Sequence, residues 1–278
     1  MGFVTTISSP KRNLRRSGGN VAASESDFTK TLEQIHAITG DRNSEVFRRF
    51  LEISFCALSY GQREDQYLKA IAPFKNKREV LDLYVEAFST MVNDYEQGPL
   101  FKDHLGDTHM ELSGTRDKQA KGEFYTPEHV CDMMAQMANV SHSATEKPIR
   151  FHEPAAGSGR MILSAAKVLV EDGGSPSDMW VEAWDVGQMP FWMCFINLSL
   201  WCIPARVIRG NTLSNEIFDE QLTMATFLPK PKPRPENEKL RKQVTLMQEV
   251  LNEIVSPEAP TQPQPLTLGK KAEQTSLF

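Results

Sequence analysis

Cysteine is scarce, and its placement excludes a good deal. The four, Cys56, Cys131, Cys194 and Cys202, form no Cys-x-x-Cys pair and stand in apolar stretches. That argues against a disulfide framework or a zinc ribbon and fits reduced core thiols of a cytoplasmic protein with no metal site. No apolar run is long enough to cross a membrane, so no membrane partner is expected. Positive charge is not in excess either: 31 Lys and Arg stand against 36 Asp and Glu, a net charge of −5. Any contact with nucleic acid has to come from local basic segments. With 278 residues there is room for one sizeable domain and a smaller one.

What is present is concentrated between residues 122 and 213. Four short signals occur in order: Gly122-Glu123-Phe124-Tyr125-Thr126-Pro127, Glu153-Pro154-Ala155-Ala156-Gly157-Ser158-Gly159, Trp184-Asp185, and Gly210-Asn211-Thr212-Leu213. Residues 149–152 read as a short strand and residues 161–170 are apolar at helical spacing, so the glycines fall where a strand turns into a helix. Gly157 and Gly159 can take positive φ there and let a ligand approach bare backbone. The three spaced glycines of the dinucleotide fingerprint, with its pyrophosphate on the helix end, are not found. Glu153 instead brings a carboxylate to the turn, which suits a ligand with positive charge and hydroxyl or amine donors better than one with phosphates. A second strand, 180–184, ends on Asp185 at the spacing where an acidic side chain reaches ribose hydroxyls in a βαβ unit. A third, 205–209, ends on Gly210-Asn211, and the three strand ends then share one rim bearing Glu153, Asp185 and Asn211. Taken singly, Asp185 and Asn211 also read as strand-end caps.

The set resembles the N6-adenine DNA methyltransferases related to the modification subunits of type I restriction systems, over residues from about 100 to 215. The resemblance implies S-adenosyl-L-methionine as cofactor. Phe124, Tyr125 and Thr126 would flank its methionine end, and Glu153, Pro154 and the Gly157-Ser158-Gly159 turn would form the floor. Asp185 would hold the ribose and Asn211 would meet the adenine edge. The implied fold class is α/β, an all-helical N-terminal domain followed by a shortened Rossmann-like methyltransferase domain. A complete sheet in the family has seven strands; this chain offers three, with a doubtful fourth over residues 222–228. An open edge beside the first strand is then expected.

The same comparison exposes a gap. Adenine N6 is a poor nucleophile because its lone pair is delocalised into the ring, and the family answers with Asn or Asp followed by Pro-Pro and Tyr or Phe. The polar group and a backbone carbonyl accept the amino hydrogens while the aromatic ring stacks on the extruded base. No such string occurs anywhere in this sequence. No catalytic residue is therefore assigned.

Around this centre the chain divides as 1–25, a disordered basic arm; 26–110, a helical domain; 111–228, the cofactor-binding domain; and 229–278, a Pro-rich linker, a short amphipathic helix and a disordered tail. For the arm, simple disorder, a DNA contact and a transit peptide are the three readings, the last disfavoured by the bacterial character of the family. In the helical domain Asp27 is expected to cap the first helix and Gly40 to stop it. Ser44 should cap the second, which Gly61 closes; a shorter one ends before Pro73, and a long one covers 77–97. Helix 128–138 should turn Val130, Met133, Met134 and Met137 inward. Residues 191–202 are apolar nearly all round, a helix lying against another element or another chain. His104 and His109 lack ligand partners at suitable spacing, and the polar stretch 113–121 suits a loop closing over the cofactor.

Two functions are compatible with these residues. One is an adenine methyltransferase of a DNA modification system that borrows its catalytic element from a partner methyltransferase or specificity subunit, or from a second copy in a homo-oligomer. The other is a non-catalytic S-adenosylmethionine sensor or DNA-associated anti-restriction factor. The terminus, with Gln274, Leu277 and Phe278, resembles the peptide by which bacterial DNA-processing proteins dock on the sliding clamp; a tail whose apolar residues do nothing is the plainer alternative.

Overall fold

The Ser26 hydroxyl accepts the Thr29 N–H at 3.2 Å and caps helix α1 (Asp27–Thr39). Asp27, expected as the cap, is instead in the first turn and pairs with Lys30. The computed structural model describes residues 26–112, 126–138 and 148–229. The expectations for the arm 1–25, for Phe124 and Tyr125, for the loop 113–121, and for the segment from 230 onward with Gln274, Leu277 and Phe278 lie outside them.

After α1 come α2 (Asn43–Leu58), α3 (Glu64–Ile71), α4 (Arg78–Gln97), α5 (His104–Leu112) and α6 (Glu128–Met137). The sheet region then runs β1 (Ile149–Glu153), α7 (Arg160–Glu171), β2 (Met179–Asp185), α8 (Gln188–Leu200), β3 (Ala205–Asn211) and β4 (Glu216–Leu222). Gly40 ends α1 in the left-handed region, its N–H on the His36 carbonyl at 2.8 Å, as a glycine stop requires. Two boundaries differ from expectation. Helix α2 begins at Asn43 with no side-chain cap, so Ser44 lies inside its first turn, and it closes at Ser59, two residues before Gly61. Pro73 falls in a 3-10 turn, Ala72–Phe74, that comes after α3. Among the described residues no helix is long and apolar enough to cross a membrane.

The sheet has the order β1-β2-β3-β4, with the first three strands parallel and β4 antiparallel to β3. The first strand is at an edge. The fourth covers residues 216–222 rather than 222–228, and residues 224–226 form a 3-10 turn. The reason is connection length: a parallel crossover needs about a dozen residues or more, and four between Asn211 and Glu216 allow only a hairpin. Thr223 then stitches the end of β4 to β3, donating to the Ile203 carbonyl at 2.7 Å and accepting the Ala205 N–H at 2.9 Å.

One apolar core runs through the whole described chain, from Phe28 and Phe47 in the helices to Val181 and Val207 in the sheet. Helix α8 is at its middle. Its partners are other elements of the same chain: α2 on one side and β2 and β3 on the other. Phe55 of α2 meets Phe191, Phe195 and Trp192 of α8 at ring distances of 5.2, 5.0 and 6.2 Å. A helix between a sheet and another helix has no solvent-facing polar side, which accounts for its largely apolar sequence.

Helix α6 is rotated from the expected pose. Cys131 and Ala135 are its buried residues, Val130 is half-buried, and Met133, Met134 and Met137 face outward, the last 77% exposed. Asp132 decides this: it bonds Ser164 at 2.6 Å and Lys167 at 2.7 Å on α7, and holding that pair turns the small Cys131 and Ala135 inward.

Candidate functional site

The parallel register sets the carboxyl ends of β1, β2 and β3 along one rim, with Glu153 opposite Ala183 and Asp185 opposite Arg209. The turn after β1 has Gly157 at φ 57° and Gly159 at φ 92°, a region that side chains with a Cβ rarely adopt. Backbone and side chains then draw the last three signals together. The Ala156 N–H donates to the Trp184 carbonyl at 2.7 Å, which lays the turn against the end of β2. Asp185 accepts the Gly157 N–H at 2.9 Å on one carboxylate oxygen and the Gly187 N–H at 2.8 Å on the other. The Thr212 hydroxyl donates to the Pro154 carbonyl at 2.7 Å and ties the end of β3 to the same turn.

The rim residues also do local structural work. Asn211 accepts the Leu213 and Ser214 N–H groups at 3.0 and 3.3 Å, which shapes the β3–β4 hairpin. Glu153, half-buried, accepts the Ala155 N–H at 3.3 Å. Thr126 is exposed immediately before α6, its carbonyl 3.9 Å from the Cys131 sulfur.

The charge around the turn is sorted by sign. Arg160 comes directly after the turn, but its guanidinium is turned into the interior, with Nε on Asp103 at 3.0 Å and Nη2 on Asp107 at 2.5 Å. Burial opposes its charge, and the two carboxylates outweigh burial and hold its pKa above the ordinary value. The rim carries the carboxylates of Glu153 and Asp185, and the Arg160 guanidinium is engaged by Asp103 and Asp107. Such a set of acceptors suits hydroxyl, amine and cationic groups rather than phosphate. Cys194, packed 3.2 Å from where a Cβ on Gly159 would stand, is fully buried, and burial, with Asp185, Asp103 and Glu153 nearby, pushes its thiol far up.

Sequence reasoning missed the residue beneath the turn. Nothing in the sequence pattern assigned a role to Asp103. In the structure its side chain is 2% exposed and accepts four hydrogen bonds. Gly106 N–H (2.8 Å) and Asn197 Nδ2 (2.9 Å) meet Oδ1, and Ser158 Oγ (2.5 Å) and Arg160 Nε (3.0 Å) meet Oδ2. Asn197 also donates to the Ser158 carbonyl at 2.8 Å and accepts the hydroxyl of Tyr95, whose pKa burial raises far enough to keep it a donor. The available signal was an Asp three residues before Gly106 at the start of α5, the pattern of an N-cap. The cap is there, and its second oxygen goes to the turn.

A family model for N-6 DNA methylases matches residues 102–244. Among solved structures, the chain is similar to a Listeria monocytogenes protein described as a class I S-adenosylmethionine-dependent methyltransferase, at 14% identity and TM-score 0.38 over 65% of this chain and 52% of that one. It is also similar to the methyltransferase subunit of a type I restriction-modification system from Streptococcus thermophilus, at 13% identity and TM-score 0.30 over 64% of this chain and 56% of that one. A third similarity is to DrdV in complex with DNA, at 13% identity and TM-score 0.34 over 63% of this chain and 22% of that one. The chain thus spans about half the length of the first two. The family match covers half of the chain and begins at Lys102, beside the buried Asp103, and this protein belongs to the N-6 DNA methylase family.

Proposed function

We propose that the chain binds S-adenosyl-L-methionine at the rim and serves adenine-N6 modification of DNA, with the base-activating element supplied by a partner chain. The observation that carries the reading is the Asp185 carboxylate hydrogen-bonded to Gly157 of the turn, which joins two of the expected cofactor residues in one constellation. The cofactor fits the carboxylate acceptors: it has two ribose hydroxyls, an ammonium and a sulfonium, and no phosphate. Bound there, it supplies an electrophilic methyl group. Asp185 holds the ribose, Glu153 and the turn 157–159 form the floor, and Asn211 is beside the adenine edge. Phe124, Tyr125 and Thr126 are assigned the methionine end.

A specific observation favours a second reading, a non-catalytic sensor or accessory factor. No Asn-Pro-Pro-aromatic or Asp-Pro-Pro-aromatic string occurs in the sequence, and the segment after Asn211 is an antiparallel hairpin with exposed Leu213, Ile217 and Phe218. One experiment separates the two: titrate S-adenosylmethionine by calorimetry, and incubate the protein with labelled cofactor and adenine-containing DNA, alone and with a candidate modification partner. Binding with transfer only in the presence of the partner supports the first reading. Binding with no transfer under any pairing supports the second, and no binding at all sinks the first reading and the sensor.

A further inference from the structure

The carboxylate of Asp103 belongs to the helical region, yet two of its four donors, Ser158 and Arg160, are on the segment that forms the floor of the site. A third donor, Asn197 of α8, grips the same segment again through the Ser158 carbonyl, so Ser158 is held by its hydroxyl and its backbone at once. A carboxylate has about four acceptor positions, and here all are in use. The packing leaves no slack. A Cβ on Gly106 would collide with Asp103 Oδ2 and come within 2.7 Å of Ser158 Oγ, so α5 approaches the turn as closely as bare backbone allows. Burying a charge in this way is weak evidence for stability, because desolvation offsets most of what the pairing contributes. What the arrangement does supply is a fixed shape: a turn with two glycines at positive φ is conformationally loose unless its surroundings hold it.

We propose that Asp103 is a positioning residue for the cofactor turn. Through Ser158, Arg160 and Asn197 it holds residues 157–160 in the shape that binds, and so the helical region sets cofactor affinity from outside the sheet. Asp103 itself touches no ligand. The inference rests on the binding of S-adenosylmethionine proposed above.

The test uses the full chain and two readouts. Ser158→Ala and Asp103→Asn are compared with Phe55→Leu, which disturbs the α2–α8 packing and leaves the turn's bonds intact. At a temperature where melting curves show each protein folded, the two network variants should bind S-adenosylmethionine about tenfold more weakly or worse, and the double variant little worse than the weaker single one. Phe55→Leu should lower the melting temperature and leave affinity within about twofold. In the cofactor-free protein, backbone amides 156–160 should exchange faster in Ser158→Ala while those of β2 and β3 do not. If Asp103→Asn fails to fold, Ser158→Ala carries both readouts. Wild-type affinity in Ser158→Ala, or an equal loss in Phe55→Leu, overturns the positioning role and leaves the proposed function standing. A wild-type protein that does not bind the cofactor removes the proposed function and this inference with it.

Discussion

Asp185 has two demands on one carboxylate. Its oxygens hold the Gly157 and Gly187 amides, and the proposed ribose contact is made by the same group. Asp185→Ala should therefore weaken S-adenosylmethionine binding by about 1.5–3 kcal/mol and also lower the melting temperature, because two backbone donors lose their acceptor. Calorimetry and a melt on the same sample check both, and unchanged affinity would end the ribose assignment. His104 offers a pH test. Burial, partly opposed by the Asp94 carboxylate, lowers its pKa below 6.5, its ring is 4.8 Å from Tyr95, and its Nε2 has no hydrogen-bond partner. The folded chain thus keeps His104 neutral where the unfolded chain takes up a proton. Its contribution is undiminished above the unfolded pKa and is lost as pH falls through 6.5 towards the folded value. Between about pH 7.5 and pH 5.5 the wild-type melting temperature should drop more steeply than that of His104→Gln. Parallel slopes would refute the assignment.

Among the elements, α2 and the turn after it bind the two halves together. Phe55 is fully buried against three aromatic rings of α8, and Phe55→Ala should cost about 3–5 kcal/mol by leaving a cavity in the shared core. Denaturant melts monitored by helical and by tryptophan signals should shift together; separate shifts would mean separate cores. Arg63, in the turn after α2, forks onto Asp219 at 2.7 and 3.3 Å and reaches the Glu220 carbonyl at 2.8 Å and Gln221 Oε1 at 3.1 Å. This clamp seats β4 on the helical region. Arg63→Ala should cost about 1.5–3 kcal/mol. Amide exchange should rise in β4 before it rises in β1 or β2, and uniform exchange would argue against a local clamp. At this scale helices were the legible part: α4 and the α1 stop can be read from periodicity and glycine placement. The rotation of α6 was not legible, because Asp132 finds Ser164 and Lys167 only after α7 is folded. Hydrophobicity alone pointed at the methionines.

For the whole molecule, membership in the N-6 DNA methylase family and the lack of a Pro-Pro catalytic string pull in different directions. A cofactor site orients one reactant; it does nothing to make adenine N6 nucleophilic or to hold an extruded base, and each of those is worth orders of magnitude in rate. The isolated chain is therefore expected to transfer no methyl group to DNA. Incubation with labelled S-adenosylmethionine and adenine-containing duplex checks this, and clear labelling of adenine would show that the acceptor groups lie elsewhere in the chain. Among the described strands β1 is at the edge of the sheet, and a strand edge beside the turn is where further sheet can be added.

The four signals between residues 122 and 213 are local chemistry: glycines that tolerate positive φ, acids at strand ends, and strands and helices marked by period. Such features act within a few residues of themselves, so the βαβαβ frame and the rim of Glu153, Asp185 and Asn211 could be read in one dimension. The packing of α8 on α2, the direction of β4 and the use of Asp103 could not. Each depends on groups about fifty residues or more apart in sequence, or on a hairpin too short to cross over, and hydrogen bonds across such separations leave no periodic trace. Asp103, which had no signal beyond that of a helix cap, accepts hydrogen bonds from three elements, because only the folded chain brings α5, α8 and the glycine turn to the same carboxylate.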